Sequence, residues 1–383
     1  MAALLAPSGT PDLAGALARV AATGESPPPG AFVLTGWLAE LEAVEAGFAA
    51  ADLGPAGRVS CRIAEPGSPV VDDQPAWGET VGTLGGEAPI TLGPFVEIYD
   101  PPAPWCVNDH CFAKGPDGLW HVFAITHPKP YNHAVDPGTR LAHATAAHLG
   151  RRGWDSQPFA LSADPARHDE HLLWAPHVVE REGTFHMFAC TGAASGNLFA
   201  IRRYESGDLW SWRRPETPPA VVDGVEARDP MVLRDGDGWI LYYTATERPE
   251  GGRFVVAAVT SDDLITWSSR RIVFTHPREG AFGGPTESPF VVRRGPAYYL
   301  FVTDDDVVHV YASRDPFGWT VEDRVFAYRG RACEIVRDET GAWFISHVGW
   351  ELGGLAIAPL EWHDGFDDGP FSIEAARSEP EPA

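Results

Sequence analysis

Lysine is almost absent: of 383 residues only Lys114 and Lys129 carry an ε-amine. Schiff-base chemistry therefore has very few candidate nucleophiles. Bases are scarce in general, 29 against 53 acids, for a net charge of −24. A chain this acidic repels phosphate backbones and anionic lipid, so neither nucleic acid nor a membrane surface is an expected partner. No apolar run approaches the roughly 18 residues of a membrane-spanning helix. The N-terminus, MAALLAPSGTPDLAG, has no basic segment before its short apolar run and does not read as a secretory signal. Cysteine is sparse: positions 61, 106, 111, 190 and 333 form an odd set without a CxxC, which suggests neither a disulfide framework nor a zinc ribbon. These absences lead us to expect a soluble, cytoplasmic protein with free thiols.

What is plentiful is turn residues and flat rings: 40 glycines, 35 prolines and 14 tryptophans. That composition suits many short elements joined by tight turns. Helical periodicity is confined to the first 55 residues. Leu13, Leu17 and Val20 are spaced for one helix, and Leu38, Leu41, Val44 and Phe48 for a second, capped by Thr35 and ended at Gly54-Pro55. We therefore expect a helical extension over 1–55 and a second domain over 56–383.

The second domain is repetitive. An aromatic-rich strand behind a turn residue recurs five times: GLWHVFAITH, GTFHMFACTG, GWILYYTAT, PAYYLFVTDD and GAWFISHVGW. A shorter apolar strand precedes each, and after most of them an element ends in tryptophan, at Trp212, Trp267, Trp319 and Trp362. The interval of about 45–65 residues is that of propeller blades. Each unit can bury a sheet face only by stacking on the next, and a closed radial array achieves this while leaving short edges. The expected fold is all-β, a five-bladed β-propeller. Strand-like Arg58–Ala64 is the candidate for closing the ring.

Aligning the units places a polar residue at the start of each first strand: Asp109, His177, Asp229, Glu287 and Glu334. First strands of a propeller line its channel, so these side chains should ring one mouth. Carboxylates that converge repel one another, which raises at least one pKa and prepares a proton donor beside an ionised partner. Glycoside cleavage needs that pairing.

The flanking residues carry a resemblance. Trp105-Cys106-Val107-Asn108-Asp109, Ala227-Arg228-Asp229-Pro230 and Thr286-Glu287-Ser288-Pro289 are similar to the three acidic motifs of the five-bladed glycosidases, glycoside hydrolase families 32, 43 and 68. Asn108-Asp109 and Arg-Asp-Pro resemble the fructosidase side, and Trp174-Ala175-Pro176 resembles family 43. The resemblance implies a nucleophile or base at Asp109, a general acid at Glu287 and a pKa-tuning carboxylate at Asp229. It requires no cofactor, but implies a channel calcium ion near His347. Trp105 and Trp174, each just before a channel residue, are candidates to stack on a sugar face. Asn108, His127, His177, Arg228, Glu334 and His347 are candidate substrate contacts. Two departures stand out: His110 replaces the proline of the fructosidase motif, and His177 replaces the acid usual in family 43.

The leading expectation is thus a hydrolase of a small furanoside or pyranoside, of arabinofuranoside, xyloside or fructoside type, with a small carbohydrate or glycosylated small molecule as its partner. The histidine departures keep a second class open, a non-hydrolytic lyase, transferase or cyclase on the same scaffold. A non-catalytic sugar-binding propeller is the third. Oligomeric state is left open.

Overall fold

A computed structural model describes residues 77–83, 88–133, 135–192, 199–224, 226–348 and 354–366, with the backbone of two earlier strands. The chain divides into two compact units, 1–74 and 75–383. In the first, β1 (Phe48–Leu53) pairs antiparallel with β2 (Val59–Ile63). Phe48–Leu53, expected to be the last turns of the second helix, form β1 instead, and the earlier parts of the expected helices lie outside the described residues.

The second unit is a propeller. Strands β3 (Thr80–Thr83), β4 (Ile90–Leu92) and β5 (Val96–Tyr99) precede the blades. Blade I is β6 (Trp105–Lys114), β7 (Trp120–Pro128), β8 (Arg140–Ala146) and β9 (Asp155–Ser162). Blade II is β10 (Trp174–Arg181), β11 (Thr184–Gly192), β12 (Phe199–Ser206) and β13 (Val221–Val222). Blade III is β14 (Arg228–Asp235), β15 (Gly238–Arg248), β16 (Gly251–Ser261) and β17 (Arg271–Gly280). Blade IV is β18 (Glu287–Arg294), β19 (Ala297–Asp304), β20 (Val307–Ser313) and β21 (Arg324–Arg329), with β3 added outside β21. Blade V is β22 (Ile335–Arg337), β23 (Trp343–His347) and β24 (Leu355–Trp362).

The ring closes through β4 and β5, which both pair antiparallel with β24. Closure therefore uses residues 90–99. The earlier candidate, Arg58–Ala64, contributes β2 to the separate two-stranded sheet instead.

The tryptophan at the end of each repeat acts as a wedge. Trp212 of blade II meets Phe123 of blade I edge-on at 5.5 Å, and Trp267 of blade III meets Phe188 of blade II at 5.6 Å. Trp319 of blade IV meets Tyr242 of blade III at 6.1 Å, and Trp362 of blade V meets Tyr299 of blade IV at 5.1 Å. Each indole thus buries its apolar area against the second strand of the preceding blade, where edge-to-face ring pairs add roughly 0.5–1.5 kcal/mol beyond burial. The core is accordingly a series of clusters between neighbouring blades.

Two wedges are aimed by one turn chemistry. Ser206 Oγ accepts from the amides of Asp208 and Leu209, and Asp208 Oδ1 from those of Trp210 and Ser211. Ser261 and Asp263 repeat the pattern in blade III.

Candidate active site

Four inner strands break register near their start, between Val107 and His110, Trp174 and His177, Arg228 and Met231, and Glu287 and Phe290. A bulge of this kind re-aims side chains. At three of them a non-glycine residue takes a left-handed backbone, Ala175 (φ 44°), Asp229 (φ 54°) and Ser288 (φ 47°). Such conformations cost about 1–3 kcal/mol each and cluster at functional sites. Each is followed by a proline, Pro176, Pro230 or Pro289, which pins the next φ.

The carboxylates expected at equivalent blade positions are in fact staggered. With Val107–Thr126, Trp174–Cys190, Arg228–Thr244 and Glu287–Thr303 as matching pairs, Glu287 stands at the reference, Asp229 one residue on, Asp109 two and His177 three. Glu334, whose carbonyl accepts from the Ser346 amide at 3.0 Å, matches His177. The stagger spreads the acids in depth along the channel instead of stacking them in one plane.

A small opening lies there, lined by Asp109, His110, Asp229, Ser288 and Glu334 among others. Glu287 is tied to one of these, Asp229, through Arg228. The buried Arg228 guanidinium donates to Asp229 at 2.6 Å, to Glu287 at 2.9 Å and to Glu226 at 3.1 and 3.3 Å. Glu226 is fully buried and also accepts from the Gly283 amide at 2.7 Å. One cation thus fastens three carboxylates, and their charges hold its pKa well above the usual arginine value against the opposing effect of burial.

The carboxyls differ in environment. Asp229 is anchored through one oxygen: besides Arg228, Oδ2 accepts from the Ser288 amide at 3.0 Å, with the Thr244 hydroxyl 3.4 Å away. Among the described residues Asp109 receives only the Ser288 hydroxyl, at 2.5 Å. Burial first, then the charges of Asp229 and Glu287, push its pKa up to about 7 against that hydrogen bond and Arg228. Glu287 keeps 39% of its side chain open. Its pKa is nonetheless raised, by desolvation in the channel wall and then by Asp229 and Glu226, with Arg228 pulling the other way. Glu334 is raised well above the carboxylate range, by burial and then by Asp109.

Beside Glu334, His177 donates from Nε2 to the Val232 carbonyl at 3.3 Å and turns Nδ1 toward the Glu334 carboxyl, 3.7 Å away. Burial lowers the His177 pKa to about 4 and raises that of the Glu334 carboxyl it faces, so desolvation favours the neutral form of both. His110, lowered to about 3 chiefly by burial, bonds Ser346 Oγ at 2.7 Å.

The remaining expected contacts sit elsewhere. Trp105 stands edge-on to Phe159 at 5.0 Å under Arg140, within its own blade. His127 is fully buried, bonded to the Asp136 carbonyl at 2.9 Å and packed on Tyr131. Asn108 is half-buried on the bulge of β6. Trp174 belongs to a row of rings at the mouth. His347 Nδ1 accepts from the Arg331 amide at 3.1 Å, and its ring lies against Trp77 at 4.0 Å. Calcium takes six to eight oxygen ligands. Among the described residues no group of three or more His, Cys, Asp or Glu side chains is arranged to hold a metal. No step is derived through a calcium ion.

Sequence reasoning missed Ser288 and Glu226, although both lie in or beside the acidic motifs, in Thr-Glu-Ser-Pro and Val-Glu-Ala-Arg-Asp-Pro. It also missed Phe199 and Phe282, which no repeat alignment marks.

No protein-family profile matches the chain, and no curated protein matches it in sequence. Solved structures do. The GH43_1 enzyme from Xanthomonas citri, complexed with xylose, is 16% identical, with a TM-score of 0.50 over 66% of this chain and 86% of that one. CoXyl43, a β-xylosidase/α-arabinofuranosidase from a compost metagenome in complex with xylotriose, is 13% identical, with a TM-score of 0.53 over 70% and 94%. A mutant of the α-L-arabinofuranosidase arb93a from Fusarium graminearum, bound to an iminosugar inhibitor, is also 13% identical, at 0.53 over 70% and 97%. At these identities the likeness is one of fold: the chain is built as a five-bladed propeller like these glycoside hydrolases.

Proposed function

We propose that this propeller is a glycoside hydrolase acting on a small furanoside or pyranoside of arabinofuranoside, xyloside or fructoside type. The observation that carries the reading is that Asp109 and Asp229, from two blades, line one opening, while Arg228 bonds both Asp229 and Glu287 of a third blade. Asp109 and Glu287 are both raised in pKa, and Asp229, bonded to Arg228, is one cause of each shift. Glu287, raised and partly open to the channel, supplies its carboxyl proton to the glycosidic oxygen as the C–O bond breaks. Asp109 lines the opening, with Oδ1 held by the Ser288 hydroxyl. It either bonds to the anomeric carbon or takes a proton from the water that attacks it. A pKa near 7 poises it for that task at neutral pH. One water is consumed, and a free sugar and an alcohol leave.

The test is a panel of nitrophenyl α-L-arabinofuranoside, β-D-xyloside and β-D-galactofuranoside, with sucrose and short fructans. Wild type, Asp109→Asn and Glu287→Gln are run in parallel. Turnover of one substrate, lost by about 10³-fold or more in both variants, is expected. Unchanged turnover in either variant refutes the role assignment.

A second reading has one specific observation in its favour. His110 and Glu334 also line the opening, and His177 turns Nδ1 toward Glu334 at 3.7 Å. A lyase, transferase or cyclase on the same scaffold would use that set. Silence of a folded wild type across the whole panel selects it.

A further inference from the structure

Rings line the mouth of the channel in a continuous row. His133, in the loop between β7 and β8, meets Trp174 at 5.5 Å. Trp174 meets Phe199 at 5.7 Å, and Phe199 stacks on Phe282 at 5.5 Å with their planes 20° apart. The Arg228 guanidinium lies 5.4 Å from the centre of the Phe282 ring. All these segments lie at the end of the blades where the inner strands begin, so the row runs from blade I to the guanidinium that holds Glu287.

Phe282 is 51% exposed, a large apolar ring left in water at the edge of a polar site. Its position is nevertheless built. The amide of the next residue, Gly283, donates to Glu226, the same buried carboxylate that braces Arg228. An exposed ring that the active-site network itself fastens in place reads as a recognition surface.

The chemistry of the row limits what it recognises. Phe199 and Phe282 offer no hydrogen-bonding group. The indole N–H of Trp174 is already spent on the Pro137 carbonyl at 2.6 Å. A second sugar needs polar partners for its hydroxyls beside any ring it stacks on. A flat apolar group needs none.

The side of the site is also set. Under the hydrolase reading above, on which this inference rests, the leaving group lies on the side of the general acid. Phe282 precedes Glu287 by five residues and covers the arginine bonded to it. We propose that Phe282, Phe199 and Trp174 form a subsite for an aromatic leaving group, so that the substrate is a glycoside of a flat aromatic alcohol rather than an oligosaccharide.

The experiment has a binding arm and a turnover arm. Calorimetric titration with 2-naphthol needs no catalysis. Wild type is expected to bind it, Phe282→Ala to bind at least tenfold more weakly, and Phe282→Leu, which keeps apolar volume without the flat face, to fall between. In the turnover arm, naphthyl xyloside or arabinofuranoside should exceed xylobiose or arabinobiose in kcat/KM by at least tenfold, and Phe282→Ala should erase most of that preference. Absent naphthol binding, or binding equal in wild type and Phe282→Ala, overturns the subsite even if a glycoside is hydrolysed. So does preference for the disaccharide. Naphthol binding that depends on Phe282, with no glycoside turned over, upholds the aromatic site and sinks the hydrolase reading instead.

Discussion

Replacing Asp109 with asparagine should make the protein more stable, and more so as pH rises. The isosteric amide can still accept from Ser288, the residue that bonds Oδ1 at 2.5 Å, so the perturbation is the loss of an ionisable group. In the folded chain the Asp109 pKa is raised from 3.8 to about 7. Below 3.8 both folded and unfolded chains hold the proton and the group is neutral in its effect. Between 3.8 and 7 the folded chain keeps a proton that the unfolded chain has released, so stability falls as pH climbs and levels off above 7. At about 1.4 kcal/mol per unit, the stretch from pH 5.5 to 7 costs about 2 kcal/mol, reduced to about 1 kcal/mol by channel water around a half-buried carboxyl. The asparagine variant escapes this penalty. Its advantage over wild type in urea denaturation should therefore grow by about 1–2 kcal/mol between pH 5.5 and 8. Relief of repulsion on Glu334, whose pKa Asp109 helps to raise, acts in the same direction. A stability difference that is constant across this range would falsify the assignment of Asp109 as a carboxyl strained by its neighbours, whatever the protein's function.

Three further outcomes follow from the same contacts. Ser288→Ala removes the hydrogen bond that favours ionised Asp109, so the acidic limb of a kcat/KM pH profile should move upward by about one unit; a limb that stays in place would show that Asp109 does not govern it. Arg228→Met leaves Glu226 and Asp229 buried without their cation, and should cost about 3–5 kcal/mol by urea denaturation while raising the Glu287 pKa further; a loss under about 1 kcal/mol would mean that the network contributes little to the fold. Trp319→Ala deletes a wedge that is 3% exposed, and should cost about 3–5 kcal/mol, read as a shift of the same urea midpoint.

The propeller was legible because its physics repeats. A ring in the second strand recurs in each blade and an indole at the end of the third element in most, and together they pack neighbouring blades. Trp212, Trp267 and Trp319 lie where that reasoning puts them. The acids were legible as a set for a related reason, since inner strands begin at the channel. Their alignment was not, because a bulge adds a residue without leaving a mark in composition. Asp229 and Ser288 reach the site through left-handed turns that only the following prolines hint at. Closure was misplaced for a different reason. The outer strand of the last blade needs only three paired residues, Ile90–Leu92, and so short a strand carries no periodicity to distinguish it from Arg58–Ala64. Phe282 marks the far limit of sequence reading. It sits in a loop, outside every repeat, and becomes informative only when Gly283 is seen bonded to Glu226. Recognition surfaces on the loops between blades are free to vary because the blades pack without them. The repeat that reveals the scaffold is therefore silent about what the scaffold binds, and the substrate must be argued from rings such as Phe199 and Phe282.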